Sequence, residues 1–458
     1  MTADPTLSAG STKLENNGWI QVWEPENEHF WNATGRKIAY QNLTISIAAL
    51  LLAFVVWMAW STVVVQLPNI GFPFSTEELF WLVALPGLSG ATLRIFYSFM
   101  IPVFGGRNWT VLTTASLLVP AVGMALAIQN PGTPYSIFLV LALLSGFGGG
   151  NFASSMSNIS FFFPKAKKGF ALGLNGGLGN LGVSAVQFVV PIVITSPWVA
   201  LCFGPFGKTS QSLVKDGITQ QVWLQNAAWI WVPFILLVTI AAWFGMHNLA
   251  VAKGSFRDQM GIFKCKHNWL TGCLYTGSFG SFIGYSAALP LLIKTEFPEL
   301  NPLQYAFIGP LVGALARPIG GWLADRMGGA RVTLLSFLAM SGAVAGVLYF
   351  ITLKNAPYGF GGFLGMFILL FFTAGIGNGS TYRMVPVIFQ NPKQSAAVLG
   401  FISALAAYGA FIVPKSFGYS LSLTGGAQGA FIGFLGYYLF CVLITWWFYA
   451  RKNAMTPC

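Results

Sequence analysis

Long apolar runs separated by short polar connections set the pattern of this chain. The runs predict twelve helices, at about 38–67, 76–104, 109–129, 134–163, 167–196, 222–250, 268–294, 302–325, 330–353, 358–389, 395–422 and 427–450. Several exceed the ~20 residues that cross a bilayer, which implies tilt or extension into water. Residues 1–36 hold no such run, so they read as a polar tail rather than a cleavable leader, with Trp19, Trp23 and Trp31 placed to rest at a membrane interface. The longest connection on the same side, about 251–267, carries Lys253, Arg257, Lys264 and Lys266. It separates a six-helix segment, 37–250, from a second, 268–458.

Composition narrows the class. The chain has 458 residues, 55% of them hydrophobic and only 8% charged, too few charges for a soluble fold of this length. An all-α membrane protein in contact with lipid is the expectation. The formal charge of +12 does not point to nucleic acid, because the basic residues are spread over the connections rather than clustered. With the amino terminus inside, Lys208, Lys215, Lys294, Lys354 and Lys415 fall outside and most other basic residues fall on the cytoplasmic side. That bias predicts cytoplasmic N- and C-termini in a multi-pass protein. The five cysteines show no metal or disulfide spacing, and neither a cofactor motif nor a nucleophile–base pair is evident, so no metal, no cofactor and no enzyme activity are expected.

The two segments repeat. Gly90-Ala-x-x-Arg94 returns as Gly313-Ala-x-x-Arg317, and GGGNFASSMSNISFF (148–162) matches GIGNGSTYRMVPVIF (375–389) in the same order. Two six-helix halves in one orientation, with a site at their interface, form the architecture of the major facilitator superfamily. Gly321-Trp-Leu-Ala-Asp325-Arg326-Met-Gly328-Gly-Ala-Arg331 resembles that superfamily's cytoplasmic gating motif, whereas the counterpart Phe104-Gly-Gly-Arg107-Asn-Trp lacks the acid. The gating reading expects Asp325 and Arg326 to bond across neighbouring cytoplasmic helix ends and to hold an outward-open state.

Arg94 and Arg317 carry the candidate chemistry. A guanidinium in hydrocarbon costs roughly 3 kcal/mol or more, so it persists where it lines a wet cavity or meets a partner. All twelve acids fall in the tail, in connections or at helix ends, which leaves a small anionic substrate as the expected partner. The competing structural reading, a snorkelling side chain, suits Arg317 better than Arg94, because Arg317 lies eight residues from Asp325. Planar guanidinium forks match the edge of a planar oxyanion. Asn180, one turn from Gly176 in a glycine-rich helix, offers an amide, while Tyr275 and Phe279 share one helix face and read equally as packing. With no titratable group inside the bundle, proton coupling is disfavoured.

The stretches NFASSMSNISFFFPKAKKGFALGLNGGLGNLG (151–182) and AGIGNGSTYRMVPVIF (374–389) resemble the two signature motifs of the nitrate/nitrite porter family. Similarity to the bacterial NarK-type members extends over nearly the whole chain, including Trp23-x-Pro25-Glu26-Asn27. The resemblance implies a twelve-helix carrier of nitrate and nitrite, monomeric, in the inner membrane of bacteria that respire or assimilate nitrate. It implies that Arg94 and Arg317 clamp the anion, that Phe152, Asn180, Tyr275 and Phe279 contact it, and that Gly176 lets it approach closely. Arg383 departs from some relatives and adds a third bundle cation, read either as a snorkelling or carbonyl-bonded residue or as part of release and coupling. Nitrate/nitrite antiport is the leading expectation. Proton-coupled nitrate symport and a nitrate sensor on a carrier fold are the alternatives.

Overall fold

The computed structural model describes residues 19–97, 99–202, 209–215, 218–252, 260–454 and 458. The tail before residue 19, residues 253–259 of the 251–267 connection and the expectations placed on Asp4, Glu15, Lys208, Asp216, Lys253, Arg257 and Asp258 therefore lie outside the described residues. Among the described residues, twelve helices have the length and apolar content to cross a membrane, as the pattern of runs predicts. They are α1 (Glu28–Val63), α2 (Thr76–Tyr97), α3 (Gly106–Ile128), α4 (Tyr135–Phe162), α5 (Lys165–Val193) and α6 (Asn226–Gly245) in the first half. The second half holds α7 (Lys266–Glu296), α8 (Pro302–Met327), α9 (Gly329–Thr352), α10 (Gly359–Ile388), α11 (Ala397–Thr424) and α12 (Gln428–Ala450). The start of α1 and the end of α12 share one face of the bundle, called here the terminal face.

Helix ends depart from the apolar runs where local chemistry stops the helix. α1 begins ten residues early because the Asn27 side chain accepts hydrogen bonds from His29 N (3.0 Å) and Phe30 N (3.2 Å), an N-cap ahead of the polar first turns. α2 ends at Tyr97, and a separate short helix, Met100–Phe104, runs into Gly105, whose φ of 81° the absence of a Cβ permits. α6 is shorter at both ends. Val222 belongs to the hairpin β2 (Gln211–Lys215) and β3 (Ile218–Val222), and Asn248–Leu249 forms a strand, β4, paired in parallel with β1 (Trp19–Ile20).

That pairing corrects the expectation for the tail tryptophans. Trp23 and Trp31 are buried in protein rather than resting at a membrane interface. Trp23 Nε1 donates to the Phe161 carbonyl oxygen at 3.1 Å, its ring meets Phe30 and Phe162 edge-on, and Trp31 packs on Phe163 under Lys167. Glu26 accepts a hydrogen bond from Lys165 N (2.9 Å) at the start of α5. The segment thus straps the α4–α5 connection at the terminal face.

The repeated motifs make matching helix crossings. A Cβ on Gly90 would stand 3.0 Å from the Gly149 Cα, so α2 and α4 touch backbone to backbone one turn from Arg94. In the second half a Cβ on Gly313 would stand 3.0 Å from the Phe371 carbonyl oxygen, and α8 meets α10 one turn from Arg317. Away from the terminal face the halves close on each other. Trp81 of α2 packs on Phe411 of α11, Lys415 lies 3.4 Å from Glu77 and 3.8 Å from the Trp81 ring centroid, and Phe188 of α5 meets Phe307 at the start of α8. The buried Glu296 carboxylate ties this face within the second half, accepting from Ala427 N (2.9 Å) and pairing with Lys354 (3.4 Å).

Candidate anion site

Five of the residues singled out in the sequence converge at the interface of the halves. Arg94 is fully buried, and its guanidinium carbon lies 4.8 Å from the Phe152 ring centroid, 5.3 Å from Phe279 and 5.2 Å from Trp57. Arg317 approaches the same Phe152 ring at 5.8 Å. Phe152 stacks on Phe279 (6.1 Å), and Phe279 on Tyr275 (5.4 Å, planes 8° apart). One wall of stacked rings therefore carries both guanidiniums, Arg94 from α2 and Arg317 from α8. Aromatic faces attract cations without supplying a counter-charge, so the pair is held but not neutralised.

The hydrogen bonds separate the two arginines. Arg94 Nε donates to the Gly149 carbonyl oxygen (2.7 Å) and Nη1 to the Ser403 carbonyl oxygen of α11 (2.9 Å), so this side chain also ties the halves together. Arg317 Nη2 donates to the Tyr275 hydroxyl (3.1 Å), while its Nη1 is buried without a hydrogen-bond partner. Asn180 is 1% exposed, and both its amide nitrogen and its oxygen lack partners. Buried polar atoms without partners are costly, and they mark positions where a ligand completes the bonding. Gly176 lies beside Phe152: a Cβ there would stand 3.5 Å from Phe152 Cε2 and 3.6 Å from Met156, ordinary contact distances. Glycine at this position leaves space next to the ring wall.

Sequence reasoning missed Tyr382. Its ring lies 5.4 Å from the Arg317 guanidinium carbon and 5.4 Å from the Tyr275 ring, completing the wall on the α10 side. The signal was its place directly before Arg383 in the repeated motif. The carbonyls of Gly149 and Ser403 were also missed, since backbone acceptors leave no trace in residue type. A separate polar cavity of about 10 Å³, lined by Ser46, Thr113, Asn151 and Ser155 among others, lies between α1, α3 and α4 and has room for about one water.

Asp325, Arg326 and Arg383 do not join this cluster. Arg383 Nε pairs with the Asp325 carboxylate, linking α8 to α10 at the terminal end, with both side chains about half exposed. Arg383 is therefore ion-paired at the terminal end of the second half, away from the ring wall. Arg326 stacks over Trp322 at 4.1 Å. At the equivalent place in the first half, Asn248 Oδ1 accepts from Arg107 N (2.9 Å) and Asn108 N (3.4 Å), so a neutral amide caps α3 where the motif lacks its acid.

Comparison with known proteins places the chain. Residues 49–414 match the model of the Major Facilitator Superfamily. The chain is 50% identical to the nitrate/nitrite transporter NarU of Escherichia coli over 455 residues, covering 95% of this chain and 96% of the relative. It is 42% identical to the probable nitrate/nitrite antiporter NarK2 of Thermus thermophilus, covering 97% and 100%. A solved structure of the xylose transporter XylE from E. coli, partially occluded and inward open, superposes with a TM-score of 0.64 at 14% identity, covering 90% of this chain and 97% of that one. Fold and relatives alike are those of carriers rather than enzymes. The chain belongs to the Major Facilitator Superfamily and, within it, to the NarK-type family of nitrate/nitrite transporters.

Proposed function

We propose that this protein exchanges nitrate and nitrite across a bacterial inner membrane, binding the anion between Arg94 and Arg317 and exposing it alternately to the two sides. The observation that carries the reading is a pair of buried guanidiniums, one from each half, on the single Phe152 ring. A planar monoanion fits this setting. Its edge takes hydrogen bonds from Arg317 Nη1 and from the Asn180 amide, and its face lies against Phe152, Phe279 and Tyr275 beside Gly176. The names of the relatives supply the substrate class, nitrate and nitrite. The halves 37–250 and 268–458 are the moving bodies, joined by 251–267, and the terminal face is the cytoplasmic one by the basic-residue bias.

Substrate range tests this reading. Purified protein in a chloride-free buffer should be stabilised against heat by nitrate and nitrite, with sulfate and chloride giving much smaller shifts at equal ionic strength, since a clamp for one planar charge suits neither. Equal stabilisation by all four salts would contradict it.

Asp325 pairs with Arg383 within the second half while the face away from the termini is closed by contacts between the halves. We read the pair as a brace that favours the cytoplasm-facing state, an alternative to the outward-open role expected from the gating motif. Asp325→Asn should lower labelling of a cysteine placed in the cytoplasmic half of the cavity. The change should be no more than about fivefold, because the pair is half exposed and screened. Increased labelling would restore the original expectation.

A further inference from the structure

Three turns along α5 from Gly176, on the same helix face, lies Gln187. Its side chain is fully buried. Nε2 donates to Ser61 Oγ of α1 (3.1 Å) and, across the interface between the halves, to the Ser286 carbonyl oxygen of α7 (2.7 Å), while Oε1 is buried without a partner. The Ser286 carbonyl would normally accept the backbone N–H four residues on. That residue is Pro290, inside α7, which has no N–H to give. The proline thus creates an unfilled acceptor in the second half, and the carboxamide from the first half fills it. The neighbouring seams, Trp81 on Phe411, Phe188 on Phe307 and Lys415 on Glu77, close the same face by packing and a surface ion pair. Gln187 is the buried polar bond among them.

We propose that Gln187 is the gate residue on the route from the anion site toward the face away from the termini. Closed, its amide bolts α5 to the proline-freed carbonyl of α7. When the halves part there, the bond to Ser286 breaks and the released N–H donates to the anion as it passes between Asn180 and the exterior. The line Gly176, Asn180, Gln187 on one face of α5 is then the polar track for that half of the crossing. This rests on the two-arginine site being the anion site, and nitrate binding to the unmutated protein tests that premise separately.

The experiment uses a full-length protein lacking the native cysteines, with Val190→Cys as reporter, since Val190 is fully buried one turn beyond Gln187. A membrane-impermeant thiol reagent is applied from the side away from the termini. Gln187→Leu keeps the side-chain bulk without the bonds, and Pro290→Ala gives Ser286 its helical donor back while leaving Gln187 intact. Both should label about fivefold faster than the parent, the factor expected for one lost cross-interface hydrogen bond. Gln187→Asn keeps a donor too short to reach Ser286, so it should label as fast as Gln187→Leu. It should nonetheless exchange nitrate several times faster in proteoliposomes, because the anion regains its donor. Heat stabilisation by nitrate verifies in each variant that the protein is folded and the arginine site occupied. Unchanged labelling in Gln187→Leu and Pro290→Ala, or exchange by Gln187→Asn no faster than by Gln187→Leu, overturns the proposal. Failure of nitrate to stabilise even the parent would instead overturn the two-arginine site.

Discussion

Arg317→Ala should weaken nitrate binding by about 100-fold, the factor that corresponds to losing one charge-assisted hydrogen bond and its ionic attraction in a buried site. Arg317 is the cleaner test of the two arginines. Its Nη2 meets the Tyr275 hydroxyl and its Nη1 has no partner, so the anion takes the open half of the fork. Arg94→Ala should weaken binding at least as much, but it also strips donors from the Gly149 and Ser403 carbonyls and loosens α2 from α11. Lysine at 317 should not rescue, since a point charge cannot hold Tyr275 and the anion edge together. Titration calorimetry on monodisperse protein reads the affinity, and the unliganded melting temperature checks the fold. Parental affinity in Arg317→Ala would remove that residue from the site.

Much of this site could be read from the sequence because charge inside an apolar run is rare. Arg94 and Arg317 stand out for that reason alone, and the return of Gly-Ala-x-x-Arg places them at equivalent heights in two halves. The glycines of the repeat mark close crossings, since a missing Cβ lets α2 meet α4 at Gly90 and Gly149. Tyr382 did not stand out, being one tyrosine among 14 in an aromatic-rich chain. The Arg383–Asp325 pair spans two helices, and a local pattern does not show which acid a distant base will meet. Trp23 reads as an interfacial aromatic because that is the common fate of tryptophan near a membrane helix. Its burial depends on Phe161 and Phe162, far along the chain. Gln187 was passed over for a similar reason: its partner exists only because Pro290 frees a carbonyl on another helix.

The second large effect concerns coupling. Two guanidiniums gathered on one ring repel by roughly 2–3 kcal/mol at separations of ~6–10 Å and an effective dielectric of 20, and removing water from the closed cavity adds several more. Carbonyls and ring faces soften this cost without cancelling it, because they carry no net charge. A bound monoanion removes most of it. The loaded carrier should therefore pass through the occluded state far more readily than the empty one, by a factor on the order of 100 or more for ~3 kcal/mol. On this proposal exchange should be obligatory, with no need for a proton-binding residue.

The measurement that bears most directly on this is uptake of labelled nitrate into proteoliposomes loaded with nitrite, with nitrate, or with no permeant anion, each with and without an inward proton gradient. Exchange through a two-arginine site predicts rapid uptake only in the vesicles loaded with nitrite or nitrate, at rates the gradient leaves unchanged. Sustained uptake into anion-free vesicles driven by the proton gradient would contradict it and establish symport instead.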